Sequence, residues 1–135
     1  MSPMTRRYGI DTSVLVRLLT GSPASEYERC ERQLIALVEH DGAEVFASNQ
    51  VIGEAFVAVQ HHYGFNGADA RSGLLSILTS GLVTPLSGRS VIVALETSGG
   101  PGLFDRLIAD EYARAGLQVL TLDRRMATLP DVQRL

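Results

Sequence analysis

Four carboxylates in this 135-residue sequence stand where their chemistry matters. Asp11 follows the run Arg7 to Ile10, and Asp123 follows Val119-Leu120-Thr121, each at the polar end of a strand-like segment. Glu54 lies between Gly53 and Ala55 in a stretch otherwise rich in Val, Ile, Phe and Ala, where a carboxylate is costly unless something positive meets it. Asp105 comes just after the glycine-rich stretch Ser98-Gly99-Gly100-Pro101-Gly102. Singly, Asp11 and Asp123 read as turn residues, and Asp105 as an acid favoured by a helix dipole. Jointly they read as a cluster. Clustered carboxylates repel, and hard divalent ions such as Mg²⁺ or Mn²⁺ relieve the repulsion while creating a Lewis-acid site suited to phosphate chemistry. On this reading the metal-free protein gains stability as pH falls toward 5, and neutralising an acid stabilises it. Zinc is disfavoured, because the three histidines, His40 and the pair His61-His62, have no ligand spacing and read as solvent-facing helix-end residues.

The rest of the composition narrows the choices. The net charge of −3 argues against a general electrostatic grip on nucleic acid. All 12 basic residues are arginine. With no lysine, a P-loop, a Schiff-base enzyme and a lysine-assisted aspartyl-phosphate enzyme are excluded. An aspartyl-phosphate site on Asp11 would also want an acid where Ser13 stands. The single cysteine, Cys30, falls on a core-facing helical position and reads as a structural thiol. No apolar run is long enough to span a bilayer, and Met1 to Tyr8 lacks the layout of a signal peptide, so a cytoplasmic protein is expected.

The elements that must position the acids alternate between strand and helix. Arg7 to Ile10 reads as a strand, with Thr12 or Ser13 capping a helix that carries Val14, Leu15, Leu18 and Leu19. Ser22 is expected to cap a second helix with Pro23 as its first residue, the stripe Tyr27, Cys30, Leu34, Leu37 and Val38 inward, and Gly42 at its end. Val45 to Ala47 is a second strand, followed by the cap Ser48-Asn49 and a helix to about Tyr63. Asn66 caps a fourth helix. Leu82 to Thr84 reads as a third strand ended by Pro85, and Ser87 starts a fifth helix. Phe104, Leu107, Ile108, Tyr112 and Ala115 mark a sixth, closed by Gly116. Val119 to Thr121 is a fourth strand, and an extended stretch lies near Val132. This alternation, without hairpin signals, implies one α/β domain over residues 1–135: a three-layer α/β/α sandwich around a mainly parallel sheet of four to five short strands. Ligands in such sheets bind beyond the carboxyl ends of the strands, the edge where all four acids are expected to converge.

With these residues in place, the chain resembles the PIN-domain family, in particular toxins of the VapC type. Ile10-Asp11-Thr12-Ser13-Val14-Leu15-Val16 is similar to the family's first motif. Ser48-Asn49-Gln50-Val51-Ile52-Gly53-Glu54 is similar to the segment that carries its glutamate. Phe104-Asp105-Arg106-Leu107-Ile108-Ala109 resembles the third motif, and Leu120-Thr121-Leu122-Asp123-Arg124-Arg125-Met126 the fourth. One departure is Met126, where some relatives carry a further acid or an aromatic residue. The resemblance implies a metal-binding, catalytic quartet of Asp11, Glu54, Asp105 and Asp123, with Thr12 and Thr121 as polar supports. It also implies a Mg²⁺- or Mn²⁺-dependent endoribonuclease, often a homodimer, silenced by a cognate VapB-like antitoxin. Arg17, Arg106, Arg124 and Arg125, the arginines nearest the quartet in sequence, are the expected RNA phosphate contacts. The alternative is a non-catalytic PIN-like module that binds RNA or protein. Val16, Leu19, Ile35 and Val38 exceed what one small sheet needs to cover, and imply either a thick core or a partner-binding surface.

Overall fold

Strands of two to four residues separated by helices leave little choice but parallel pairing, because a parallel neighbour needs a long crossover and a helix supplies it. The computed structural model, which describes residues 5–135, shows this arrangement. In chain order come β1 (Arg7–Gly9), α1 (Thr12–Thr20), α2 (Ala24–Ile35), β2 (Glu44–Ala47), α3 (Asn49–His62), α4 (Gly67–Leu78), β3 (Thr84–Pro85), α5 (Arg89–Glu96), α6 (Leu103–Arg114), β4 (Val119–Thr121) and β5 (Val132–Arg134). A π-helical turn over Ala36–His40 extends α2, and a 3₁₀ turn over Met126–Thr128 follows β4. Met1 to Met4, the start of the N-terminal stretch weighed above as a targeting segment, lie outside the described residues. Among the described residues, no helix is long and apolar enough to cross a membrane.

The sheet order is β1-β2-β3, all parallel, with Tyr8 opposite Val45 and Phe46 opposite both Gly9 and Thr84. The fold class read from the alternation is therefore the one observed. The sheet itself is smaller than expected. β4 pairs with β5 in a separate two-stranded parallel ladder, Val119 opposite Val132. The third strand also sits later than Leu82 to Thr84: Val83 is buried, and the ladder begins at Thr84 and takes in Pro85. A proline fits there because β3 is an edge strand with one side unpaired.

The core lies between the helices and the three-stranded sheet. Leu15, Ile52, Val59, Leu74, Val83, Val91, Leu103 and Leu107 are fully buried. Val16, Leu19 and Val38 are half-buried against this core, so the apolar surplus of α1 and α2 thickens the core. The large apolar side chains left exposed lie elsewhere, among them Ile108, Tyr112, Leu117, Leu120 and Leu122. The apolar residues that mark α6 in the sequence are thus not all buried. Leu103 and Leu107 face inward while Ile108 and Tyr112 are exposed, because the helix begins on Leu103 and its buried stripe follows from there.

Two helix starts also differ from expectation. α2 begins at Ala24 with extended Pro23 at its N-cap position and no side-chain cap, while the Ser22 amide donates to Thr20 Oγ1. α5 begins at Arg89 after Gly88, whose φ of 73° suits glycine, and not at Ser87. Asn66 caps α4 as read from the sequence, its Oδ1 accepting from the Asp69 amide at 2.7 Å.

α3 is the element against which α1, α4 and α6 all pack. Its contact with α6 is tight at Gly53, where an added Cβ would lie 2.8 Å from the tip of the Phe104 ring. Replacing Gly53 by Ala adds helix propensity worth about 1 kcal/mol. It also forces an overlap of the kind that costs about 1–3 kcal/mol in a packed core. Gly53→Ala should therefore lower stability by about 1 kcal/mol, a fall in Tm of about 3–5 °C, measured by thermal and chemical denaturation. A variant as stable as the native protein would show that the α3–α6 contact is loose.

Candidate active site

The first acid is held by the start of a helix. Asp11 has an extended backbone (φ −95°, ψ 179°) and is itself the N-cap of α1. Its Oδ1 accepts from the Val14 amide at 3.2 Å and from the Ser13 hydroxyl at 2.5 Å. This replaces the expected cap at Thr12 or Ser13. Thr12 is already inside the helix, which frees its hydroxyl to reach across to α3, where it donates to Glu54 Oε2 at 2.6 Å. The other Glu54 oxygen accepts from the Gln50 side chain, one helical turn earlier, at 3.0 Å. Glu54 is exposed and needs no cation to offset burial.

The other two acids arrive by different routes. Asp105 is half-buried in the first turn of α6, next to the Phe104 ring that rests on Gly53, so it follows a residue packed against Glu54's neighbour. The loop before it is clamped by Arg106, whose Nε and Nη2 donate to the carbonyls of Pro101 and Gly99 at 3.0 and 3.1 Å. Asp123 braces the approach to the 3₁₀ turn, its Oδ1 accepting from the amides of Arg125 and Met126 at 2.7 and 3.0 Å. Thr121 supports that turn by accepting from the Asp123 amide at 3.0 Å. The Arg125 guanidinium then donates to the Gly100 carbonyl and ties the turn to the loop before Asp105.

The arrangement is thus two linked pairs. Asp11 and Glu54 are joined through Thr12, and Asp105 and Asp123 through the glycine-rich loop. The expected single sheet edge does not unite them, because β4 lies outside the three-stranded sheet and α6 follows a helix and loop. Among the described residues, no three His, Cys, Asp or Glu side chains come close enough to hold a metal ion between them. All four acids nonetheless offer hard oxygen donors, and these hydrogen bonds of Asp11 and Asp123 use only Oδ1, leaving Oδ2. Mg²⁺ is commonly held by one or two carboxylates with water completing its shell, so spaced acids of this type suit a hydrated ion.

The electrostatics correct the expectation of mutual repulsion. The Ser13 hydroxyl and the Val14 amide hold the Asp11 carboxyl below the usual carboxylate range. The Thr12 hydroxyl, followed by the Gln50 amide, does the same for Glu54. Donors aimed at the ionised form outweigh any like-charge effect. Asp11 and Glu54 therefore gain nothing from acid, and neutralising Glu54 would weaken its bonds to Thr12 and Gln50.

Of the arginines expected to contact phosphate, Arg17 is paired with Glu26. Arg106 and Arg125 are engaged with backbone carbonyls, and Arg124 is exposed. Three residues that sequence reasoning missed complete the frame. Asn49, read as part of a cap, is buried and donates from Nδ2 to the Leu107 carbonyl and to Asp110 at 2.9 and 3.0 Å, locking α3 to α6. Burial works against ionisation of Asp110, but Ser90, Asn49 and Arg114 together keep its carboxyl low. Arg71 donates to the carbonyls of Ala94, Leu95 and Thr97 at the end of α5. The available signal for Asn49 was its i, i+4 spacing to Gly53, which puts both on the face that meets α6.

Comparison with known proteins adds one finding: the family model described as PIN domain matches residues 8–132. No curated protein and no solved structure matches the chain.

The lowered carboxyl values set a pH dependence. A carboxylate whose pKa is depressed by folding contributes stability that is complete above its unfolded value and is lost as pH falls through the folded one. Thermal stability should therefore decline below about pH 4.5 and should not rise between pH 7 and 5. Thr12→Val should lower the Tm at pH 7, with the difference narrowing as pH falls through the folded-state carboxyl value and Glu54 takes up its proton in both proteins. A carboxyl NMR titration should return Glu54 to its ordinary range in that variant. A Tm that climbs as pH drops from 7 to 5 would mean that repulsion among the acids dominates.

Proposed function

The chain belongs to the PIN-domain family, and from that premise we propose that it is a metal-dependent endoribonuclease and the toxin half of a VapC-type toxin–antitoxin pair. PIN domains are generally nucleases and typically depend on a divalent metal, so phosphodiester hydrolysis is the coarse activity. The observation that carries the finer reading is the hydrogen bond from Thr12 to Glu54. It ties the residue that follows the first motif's acid to the acid of the second, 42 positions further along the chain. Asp11, Glu54, Asp105 and Asp123 are the residues that would hold Mg²⁺ or Mn²⁺. When bound, such an ion polarises a phosphate oxygen and lowers the pKa of an attacking water.

The chain's own residues have distinct tasks in this reading. Ser13 and the Val14 amide keep Asp11 ionised at neutral pH, so it is ready to act as a ligand without first losing a proton. Thr12 and Gln50 do the same for Glu54 and fix its rotamer. Arg106 and Arg125 hold the loop that presents Asp105. RNA as substrate, a VapB-like antitoxin, a homodimer and a cytoplasmic location are the parts of the proposal that follow from the family resemblance. The exposed Tyr112, Leu117, Leu120 and Leu122 support a partner surface on the C-terminal third. That no three of the acids, among the described residues, come together on one ion is the one feature that favours the alternative, a non-catalytic module of the same fold.

Cleavage assays on single-stranded and structured RNA separate the two. Asp11→Asn and Asp105→Asn keep side-chain shape and remove a ligand charge. Each should lower cleavage about 100-fold or more, since even residues that only support metal ligands are worth 10- to 100-fold. EDTA should abolish cleavage and added Mg²⁺ or Mn²⁺ should restore it. Cleavage unaffected by Asp11→Asn and by EDTA would remove this reading. Light scattering at micromolar concentration should report a dimer, and a strict monomer that also ignores the product of its neighbouring gene would contradict the toxin–antitoxin role.

A further inference from the structure

The stretch from the end of α5 through the glycine-rich loop before α6 is held by arginines from three separate elements. Arg71 comes from α4, Arg106 from the first turns of α6, and Arg125 from the turn after β4. Between them they donate to the carbonyls of Ala94, Leu95, Thr97, Gly99, Gly100 and Pro101. Arg106 Nη2 lies so close to Gly100 that an added Cβ there would meet it at 3.2 Å, and the Gly100 φ of 67° also favours glycine. None of the three arginines forms an ion pair with a carboxylate among the described residues, although Arg7, Arg17 and Arg114 each do. Carbonyl oxygens satisfy hydrogen bonds without cancelling charge. Arg106 and Arg125 therefore stand on the five-residue loop itself and Arg71 on the end of α5 just before it, none of the three in an ion pair among the described residues.

The donors are not used up. A guanidinium has five N–H groups. Arg71 uses Nη1, Arg106 uses Nε and Nη2, and Arg125 uses Nη2. The remaining faces keep Arg71 Nε and Nη2, Arg106 Nη1, and Arg125 Nε and Nη1. Arg71 is half-buried beneath the Phe56 ring, 5.8 Å from its centroid, so its head group is held in place. Its charge is also destabilised, first by desolvation and then by Arg106. A dianionic or monoanionic oxygen ligand would relieve that cost, and planar forks of this type match phosphate oxygens in paired fashion.

We propose that Arg71, Arg106 and Arg125 form a cradle for a backbone phosphate of the nucleic acid, and that filling it stiffens the loop that places Asp105. This rests on the nuclease reading for the identity of the phosphate, and it adds a coupling between substrate docking and assembly of the site. Two of the three, Arg106 and Arg125, are among the arginines expected to contact phosphate; Arg71 joins them, while Arg17 is paired with Glu26. A neighbouring phosphate docked there would bring the polynucleotide past Asp105, the residue before Arg106.

The test is equilibrium binding, read without cleavage. A 2′-O-methyl RNA dodecamer that resists cleavage is titrated by fluorescence anisotropy into the full chain without added metal, at several salt concentrations. Arg125→Gln and Arg106→Gln should each weaken binding about 5- to 10-fold and lower the slope of log affinity against log salt by about 0.7, the loss of one phosphate contact on a single strand. Arg71→Lys should keep the fold and the charge but lose the fork, and should weaken binding less than Arg71→Gln. Arg89→Gln, an exposed arginine on α5, should change neither quantity. Hydrogen exchange at Gly99 to Leu103 should slow when the dodecamer binds the native chain and not when it binds Arg125→Gln. Inorganic phosphate or a mononucleotide that binds as tightly as the dodecamer would assign the cradle to a small phosphate ligand and overturn the polynucleotide proposal. Unchanged affinity and slope in Arg125→Gln and Arg106→Gln, or an equal loss in Arg89→Gln, would overturn the cradle itself. Loss of cleavage control by Asp11 with the binding pattern intact would instead remove only the nuclease reading.

Discussion

The close approach of α6 to α3 at Gly53 is the constraint on which the site depends. Only a residue without a Cβ lets the tip of the Phe104 ring rest on the helix backbone there. That contact puts Asp105 one residue from the packing point on one helix and Glu54 one residue from it on the other. The buried Asn49 amide fixes the same two helices a turn away, by donating to the Leu107 carbonyl and Asp110. Packing decides how near the helices come, and the amide decides their register. Neither alone would place two carboxylates on facing elements, since a smooth apolar interface slides at little cost while a hydrogen-bonded one does not.

On this frame the acids are prepared individually. Asp11 closes the first turn of α1, and the same oxygen that serves the helix is kept ionised by it. Glu54 is held by a hydroxyl from α1 and an amide from its own helix. An acid that is stabilised as a carboxylate before any cation arrives does not need the cation to be folded. The protein can then be stable without metal and still present ligands for it. This differs from a site built on strain, in which like charges are forced together and released by the ion.

The sequence made the order of elements legible because periodicity and punctuation are local. Val45 to Ala47 and Val119 to Thr121 are strands, Ser48 and Asn66 are caps, and the polar residues that follow strands carry the acids. What escaped notice was decided at longer range. Which side of α6 is buried depends on the residues at its start, Leu103 and Phe104, which are claimed by the core and by Gly53, leaving Ile108 and Tyr112 outside. Pro85 stayed in its strand because that strand is at an edge. The separation of β4 and β5 from the main sheet has no local signature at all. Arginine is the least legible residue type here: Arg17, Arg106 and Arg125 looked alike in sequence, and one pairs with an acid while the others clamp a loop. Long flexible side chains take whichever partner the fold brings within reach.

The central proposal is that Asp11, Glu54, Asp105 and Asp123 lie around one hydrated divalent ion and reach it partly through its water shell, since among the described residues no three of them are close enough to ligate it together. Paramagnetic broadening by Mn²⁺ tests it without a substrate. Substoichiometric Mn²⁺ added to isotopically labelled protein should broaden backbone resonances around residues 11–13, 53–55, 104–106 and 122–124 together, and Asp11→Asn should abolish the effect at all four segments. Broadening that centres on His61 and His62, or that touches only one of the four segments, would contradict the account.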